Sequence, residues 1–374
     1  MGEAMTGLEL RSMITSGGKL VLNLEEVRVE APGPDEVVVR VEAAPINPSD
    51  LGLLLGPADI ATIQASGTPD RPILTADIPA QRMPAMAARL NDSMPVGNEG
   101  AGTVILAGEN VAGLLGKKVG MIGGAMYAQF RKIAASGVMP LPEGATAADG
   151  ASMFVNPLTA LGFVETMRNE GHKAIVHTAA ASNLGQMLNR ICIADGVPLV
   201  NIVRSEEQAA ILRGIGATII IDSSAGDFQA QLTEACHATG ATLAFDAIGG
   251  GKLANQILHA MEAAASRDQP YSRYGSSVLK QVYIYGMLDT GPTTLDRQFG
   301  LSWSVSGWLL TPFLMKAGME TAMRLRKRVA DELTTTFASN YTATIGLAEA
   351  LRPEVVAAYQ RKATGEKYLI DPSR

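Results

Sequence analysis

Cysteine is nearly absent: the 374 residues include two, Cys192 and Cys236. Two thiols cannot make a disulfide framework, and both fall inside helical patterns, where core packing is the expected role. Such sparse usage fits a reducing compartment, so the expected location is the cytoplasm. No apolar run approaches the roughly 18 residues of a membrane-spanning helix, and none is expected to cross a membrane. Basic excess is missing too. The net charge of −6 gives no electrostatic reason to expect nucleic acid or an anionic membrane as partner. The N-terminus, MGEAMTGLEL, is acidic and has no signal-peptide pattern. It matches the myristoylation pattern M-G-x-x-x-T formally, but Glu3 follows the glycine directly and no lipid is expected.

Metal and nucleophile motifs are also lacking. There is no Cys pair and no H-E-x-x-H, and the four histidines, His172, His177, His237 and His259, fall on different elements. No spacing suits zinc, and no metal is expected. No G-x-S-x-G occurs, and no Ser, His and Asp suggest a triad. His177 reads as a strand-end core residue rather than a base. What remains is chemistry carried by an organic cofactor on a small-molecule substrate.

The stretch from Lys173 to Arg204 is the most informative one present. An apolar run from Ala174 to Val176 passes through His177 into small residues, Ala179 to Gly185. Leu184, Met187, Leu188, Ile191 and Cys192 follow at helical spacing, and Gly196 ends that helix. A second apolar run spans Pro198 to Val203. This is strand, tight turn, helix, strand, the unit that offers a dinucleotide pyrophosphate a helix N-terminus. Of G-x-G-x-x-G only Gly185 survives, so the motif alone is a weak signal. Arg204 strengthens it. It lies about 20 residues past Gly185, where NAD enzymes place an acidic residue and where Arg accommodates a 2′-phosphate. The expected cofactor is NADPH, although Glu206 and Glu207 stand nearby.

A chain of this length suggests two domains. Residues 20–45 alternate as β structure, broken by Pro-Gly-Pro-Asp at 32–35. Asn47 to Asp50 reads as a turn. Residues 57–95, rich in proline and methionine, are irregular and read either as a functional flap or as a packed surface insertion. Short strands with glycine turns over 96–140 suggest a small barrel. A helical region runs through 145–167. Beyond Arg204, Ser205 caps a helix with Gln208 as its partner, closed by Gly216. Strands at 217–222, 242–250 and 281–287 alternate with helices at 226–240 and 252–265. That order predicts an α/β fold with a parallel, doubly wound sheet whose ligand lies beyond the strand C-termini. The tail has a helix near 313–333, a β-like stretch over 334–345, a helix at 347–360 and a last strand, KYLI.

The words APINPSDL (44–51), VGNEGAGTV (96–104), VNPLTALG (155–162), TAAASNLGQ (178–186), FDAIGG (245–250) and VYIYGML (282–288) carry a resemblance. In content, order and spacing the chain resembles the medium-chain dehydrogenase/reductase superfamily over nearly its whole length. The resemblance implies a GroES-like β-barrel domain plus a Rossmann domain: 1–152 with the 57–95 insertion, then 153–312, then 313–374 returning to the first domain. It further resembles the zinc-free branch of quinone oxidoreductases and trans-2-enoyl-thioester reductases, because Asn47 and Asn98 stand where zinc enzymes carry Cys and His ligands.

That resemblance implies roles residue by residue. Asn156 and Thr159 approach the nicotinamide side. Ser182, Asn183, Leu184 and Gly185 cradle the pyrophosphate. Arg204 and Ser205 meet the 2′-phosphate. Tyr285, Gly286 and Met287 line the nicotinamide ribose and amide. Trp308 resembles a family Trp, and Lys367 a late lysine near the cofactor. The family commonly forms homodimers through the Rossmann sheet edge. One departure stands out: the enoyl reductases' proton-donating Tyr falls, by spacing, at Ala58. Asn47, Tyr127, Trp308 and Asp59 are the remaining candidates for catalysis, beside solvent. The expected function is hydride transfer from NADPH to a quinone or an α,β-unsaturated carbonyl, in a cleft walled partly by 57–95. The alternative is a cofactor-binding sensor of the same fold that has lost turnover.

Overall fold

The computed structural model describes residues 5–361 and 366–374. Gly2, the acceptor in the formal lipidation pattern, lies outside them. The chain separates into two compact units: one holds the segment up to Val155 together with Val329–Arg374, the other Asn156–Arg328. No described helix is long and apolar enough to cross a membrane.

The first unit is built on two β-sheets. Glu36–Pro45 is the hub of the larger sheet, where it pairs antiparallel with Glu99–Ala107, Phe130–Ala134 and Tyr368–Ile370. Its residues Val37, Val39 and Val41 alternate inward, the period a pleated strand imposes. The smaller sheet runs Asp59–Thr68, Arg71–Asp77, Lys19–Val29, Met5–Ile14, Met94–Pro95. Leu10, Ile14, Leu20, Leu22, Leu51 and Met126 fill the common core. Each such fully buried aliphatic side chain contributes about 1.5–3 kcal/mol.

Three expectations are corrected in this unit. The stretch Asn47–Asp50 is not a free turn: Asn47 caps a helix, Pro48–Leu54, with proline at its first position. Residues 57–95 are ordered as a β-hairpin and a 3₁₀ helix, Ala80–Arg89. The hairpin joins the smaller sheet through the pairing of Arg71–Asp77 with Lys19–Val29. Its turn depends on Gly67, at φ 82°, where a Cβ would sit 2.3 Å from the Arg71 carbonyl oxygen. The hairpin's outer strand is mostly exposed, so the apolar alternation that betrays a strand is missing. Finally, only Ala343–Ile345 of 334–345 is a strand, and 347–360 divides into a 3₁₀ turn and the helix Pro353–Gln360, because Pro353 starts a new helix.

The second unit is a six-stranded parallel sheet. In order across it run Ile220–Asp222, Leu199–Val203, Ile175–His177, Leu243–Asp246, Lys280–Ile284 and Trp303–Gly307. In chain order this is 3-2-1-4-5-6, the Rossmann arrangement, with its switch point between the first and fourth strands. The sixth strand was not foreseen. Trp303 and Val305 alternate with serines, and its short run lies between Gly300 and Gly307. Helix Asn183–Asp195 buries Leu184, Met187, Leu188, Ile191 and Cys192, and ends at Gly196 with φ 66°. Ser205 caps Glu206–Gly214, and the Gln208 side chain accepts from the Arg204 N–H.

Candidate functional site

The Rossmann unit presents its candidate cofactor residues at the strand C-termini. Ile175–His177 leads through Thr178 and Ala179 into the helix Asn183–Asp195. Ala179 adopts φ 49°, a left-handed conformation that glycine reaches without strain. Ser182 accepts from the Gly185 N–H, 3.2 Å away, and so caps the helix. At Gly185 a Cβ would lie 2.1 Å from the Ala180 carbonyl oxygen. No larger residue fits there unless the turn shifts, which explains why this glycine alone survives: it lets the helix approach the strand closely. Asn183 and Leu184 open the helix, and Leu184 is buried.

Arg204 stands just past the second strand. It is exposed, and among the described residues its guanidinium has no ion pair or hydrogen bond. The acids beside it are engaged elsewhere. Glu206 binds Arg213 in a two-pronged pair at 2.8 Å. A bond from Ser205 holds the Glu207 carboxyl below its usual range. Asn156 is half-buried and Thr159 buried on helix Val155–Asn169.

The nicotinamide-side candidates divide. Tyr285 follows the fifth strand, half-buried, with its hydroxyl 2.8 Å from His177 Nε2. Gly286 is required where it stands, since a Cβ would meet the Ala247 carbonyl oxygen at 2.6 Å. Met287 is 74% exposed. Trp308 is a packing residue: its indole N–H donates to Thr166 at 3.1 Å, and its ring lies edge-on to Phe163 and stacked on Phe313. Thr178 and Asp246 were not singled out by sequence. Thr178 donates to the buried Asp246 carboxylate at 2.7 Å, which also accepts from the Ile248 and Gly249 N–H groups. This fixes the loop beyond the fourth strand.

The first unit gathers a buried polar cluster. Asn47 donates from Nδ2 to Glu99 at 2.8 Å, and the other Glu99 oxygen accepts from the Phe154 and Val155 N–H groups, both at 2.9 Å. Asp50 accepts from the Asn47 and Asn98 N–H groups at 2.8 Å. Lys367 donates to Ser152 at 2.7 Å, and Ser152 lies 2.9 Å from the Tyr341 hydroxyl. Burial pushes the Lys367 ammonium down to about 8, against the pull of Glu99 and Asp50. Tyr127, a proton-donor candidate by sequence, lies in the same unit. It is fully buried, its hydroxyl donates to the Pro45 carbonyl at 3.0 Å, and burial beside Asp50 raises its pKa. Ala58 packs against the core, and the exposed Asp59 accepts from its own turn, the Ala61 N–H at 3.0 Å. Glu99, Ser152 and Tyr341 escaped sequence reasoning. Glu99 lies in the VGNEGAGTV word, but its partners come from distant segments. No group of three or more His, Cys, Asp or Glu side chains suited to a metal gathers among the described residues.

Asp50 makes stability depend on pH. Burial pushes its carboxyl up to about 7, from an ordinary 3.8. Between those values the folded chain holds a proton that the unfolded chain has released. Stability from this group is therefore full below about 4 and lost as pH rises through about 7. Urea denaturation of Asp50→Asn beside the parent checks this: from pH 4 to 8 the difference should move steadily in favour of the variant. A difference constant with pH refutes it.

Known proteins resemble this chain in both sequence and structure. A family profile described as "Zinc-binding dehydrogenase" matches residues 183–266, within the Rossmann unit. A mitochondrial enoyl-[acyl-carrier-protein] reductase of Xenopus tropicalis is 27% identical over 211 residues, 54% of this chain and 52% of that protein. A quinone oxidoreductase of Pseudomonas aeruginosa is 27% identical over 237 residues, 62% of this chain and 64% of that protein. These matches thus span between about half and two thirds of the curated relatives' lengths. A solved structure from Mesorhizobium loti, assigned as an NADPH:quinone reductase, superposes with a TM-score of 0.74 at 26% identity, covering 100% of both chains. That match covers both units described above. Together these likenesses support the medium-chain dehydrogenase/reductase superfamily, and within it the quinone- and enoyl-reductase-like branch, as the family this chain resembles.

Proposed function

We propose that this chain is a zinc-independent, NADPH-dependent oxidoreductase that passes hydride to a quinone or another α,β-unsaturated carbonyl. The observation that carries it is Arg204: an exposed guanidinium with no partner among the described residues, past the second Rossmann strand, flanked by acids that are otherwise engaged. A 2′-phosphate is the ligand group this arrangement suits. The turn suits a pyrophosphate, because it opens the helix Asn183–Asp195, whose N-terminus favours an anion. A bound nicotinamide supplies the hydride. Tyr285, Gly286 and the Asp246-braced loop form the rigid wall beside it. Zinc independence rests on residue type: neutral amides, Asn47 and Asn98, stand where the zinc enzymes that the chain resembles carry thiolate and imidazole ligands.

The burial of Tyr127 and the presence of alanine at 58 favour an acceptor that takes its protons from water, as a quinone does. They also support a second reading, a cofactor-binding protein without turnover. NADPH oxidation with a panel of quinones and enones separates the two. Turnover is expected, faster on quinones than on enoyl thioesters. Tight NADPH binding with no turnover on any acceptor would establish the second reading instead.

A further inference from the structure

His177 closes the first strand of the Rossmann sheet and is fully buried. Its Nε2 lies 2.8 Å from the Tyr285 hydroxyl, and the two rings stack at 5.8 Å with 16° between their planes. Burial pushes the imidazole down to about 3, so the ring is neutral at any ordinary pH. A neutral imidazole has one N–H and one lone pair. Among the described residues Nδ1 has no hydrogen-bond partner. In folded proteins a buried N–H without an acceptor is rarer than an acceptor left unfilled. The lone pair therefore belongs on Nδ1 and the proton on Nε2. Nε2–H then donates to the Tyr285 oxygen, and the phenol proton must turn elsewhere. Among the described residues the phenol has no other hydrogen-bond partner. Burial and the Asp246 charge raise its pKa, so the phenol keeps its proton.

We propose that His177 is a positioning residue, which by its bond to Tyr285 fixes that phenol as a hydrogen-bond donor to the carboxamide oxygen of a bound nicotinamide. The inference rests on the NADPH reading above and adds to it a residue that touches no part of the cofactor. Phe163 also packs on this pair, edge-on to Tyr285 at 4.8 Å and 6.0 Å from the His177 ring, so the phenol ring has little freedom to swing.

The test compares two ligands, NADPH and 2′-phospho-ADP-ribose, which lacks the nicotinamide. His177→Phe keeps the ring's bulk and removes its hydrogen bond. It should weaken NADPH about tenfold, the worth of one net hydrogen bond, and leave 2′-phospho-ADP-ribose unchanged. His177→Gln, which restores an N–H, should recover most of the NADPH affinity. Tyr285→Phe should show the same selective loss, and adding His177→Phe to it should cost nothing further. A merely structural histidine predicts that both ligands weaken together. Equal loss, or no loss, for the two ligands overturns the proposal. If His177→Phe does not fold, Tyr285→Phe is decisive in the same way. A parent protein that binds 2′-phospho-ADP-ribose and NADPH equally well also overturns it while sparing the cofactor reading; one that binds neither removes both.

Discussion

Replacing Arg204 with alanine should weaken NADPH binding by on the order of 1.5–3 kcal/mol and leave NADH nearly unaffected, the loss expected for a hydrogen bond to a charged group. That is roughly a 10- to 150-fold rise in the NADPH dissociation constant. The size follows from what surrounds the guanidinium. It is exposed and has no partner among the described residues, so binding a phosphate breaks no internal ion pair. Glu206 would repel a 2′-phosphate if it were free, but Arg213 holds it at 2.8 Å. The effect should shrink with added salt, since the site is open to solvent. Titration of parent and variant with both cofactors, followed by cofactor fluorescence, decides the matter. Equal losses for NADPH and NADH would show that Arg204 does not read the 2′ position. Loss of neither would place the phosphate elsewhere.

The second large effect concerns stability. Lys280→Met should destabilise the protein by about 3–5 kcal/mol, the cost of stranding one member of a buried ion pair. Lys280 opens the fifth strand with its side chain 0% exposed, and its Nζ reaches Glu262, whose side chain is 13% exposed. Two further bonds complete the ammonium, to Ser276 Oγ and the Val278 carbonyl, both at 3.0 Å. Glu262 also accepts from the Ser276 N–H and hydroxyl at 2.7 Å and from Ser266 at 2.8 Å. Burial works to raise its carboxyl, and the bonds from Lys280 and Ser276 outweigh it, holding it below the usual range. Removing the lysine leaves that carboxylate without its cation. The double variant Lys280→Met/Glu262→Leu should recover part of the loss, because two apolar groups strand no charge. Urea denaturation measures both. A single-variant loss below about 1 kcal/mol would mean that the pair is worth no more than a surface one. Since this strand leads directly to Tyr285, the variant should also bind NADPH more weakly.

The hairpin at 59–77 shows where sequence patterns run out. Its outer strand buries little, and periodicity is a record of burial, so it left no trace to read. The sixth parallel strand was hidden for a related reason: five residues of Trp, Val, Ser and Gly are too few to distinguish from a loop. By contrast, the helix Asn183–Asp195 was legible, because an apolar face at helical spacing and a closing glycine are both local signals.

The same division governs the site. The sequence by itself determined the Rossmann unit, the capped helix, the surviving glycine and an arginine after the second strand. Each depends on neighbours along the chain, where dihedral freedom and helical spacing act. Only the tertiary structure decided that Tyr127 is spent on Pro45, that Trp308 packs against Phe163, that Glu99 takes Asn47 as its partner, and that Lys367 meets Ser152. Those partners lie between 52 and 215 residues apart, and a side chain's proton goes to whichever group the fold brings within 3 Å. His177 belongs to both sides. Its place at a strand end was legible, while its hold on Tyr285, 108 residues away, became visible only when the first and fifth strands were laid into one sheet.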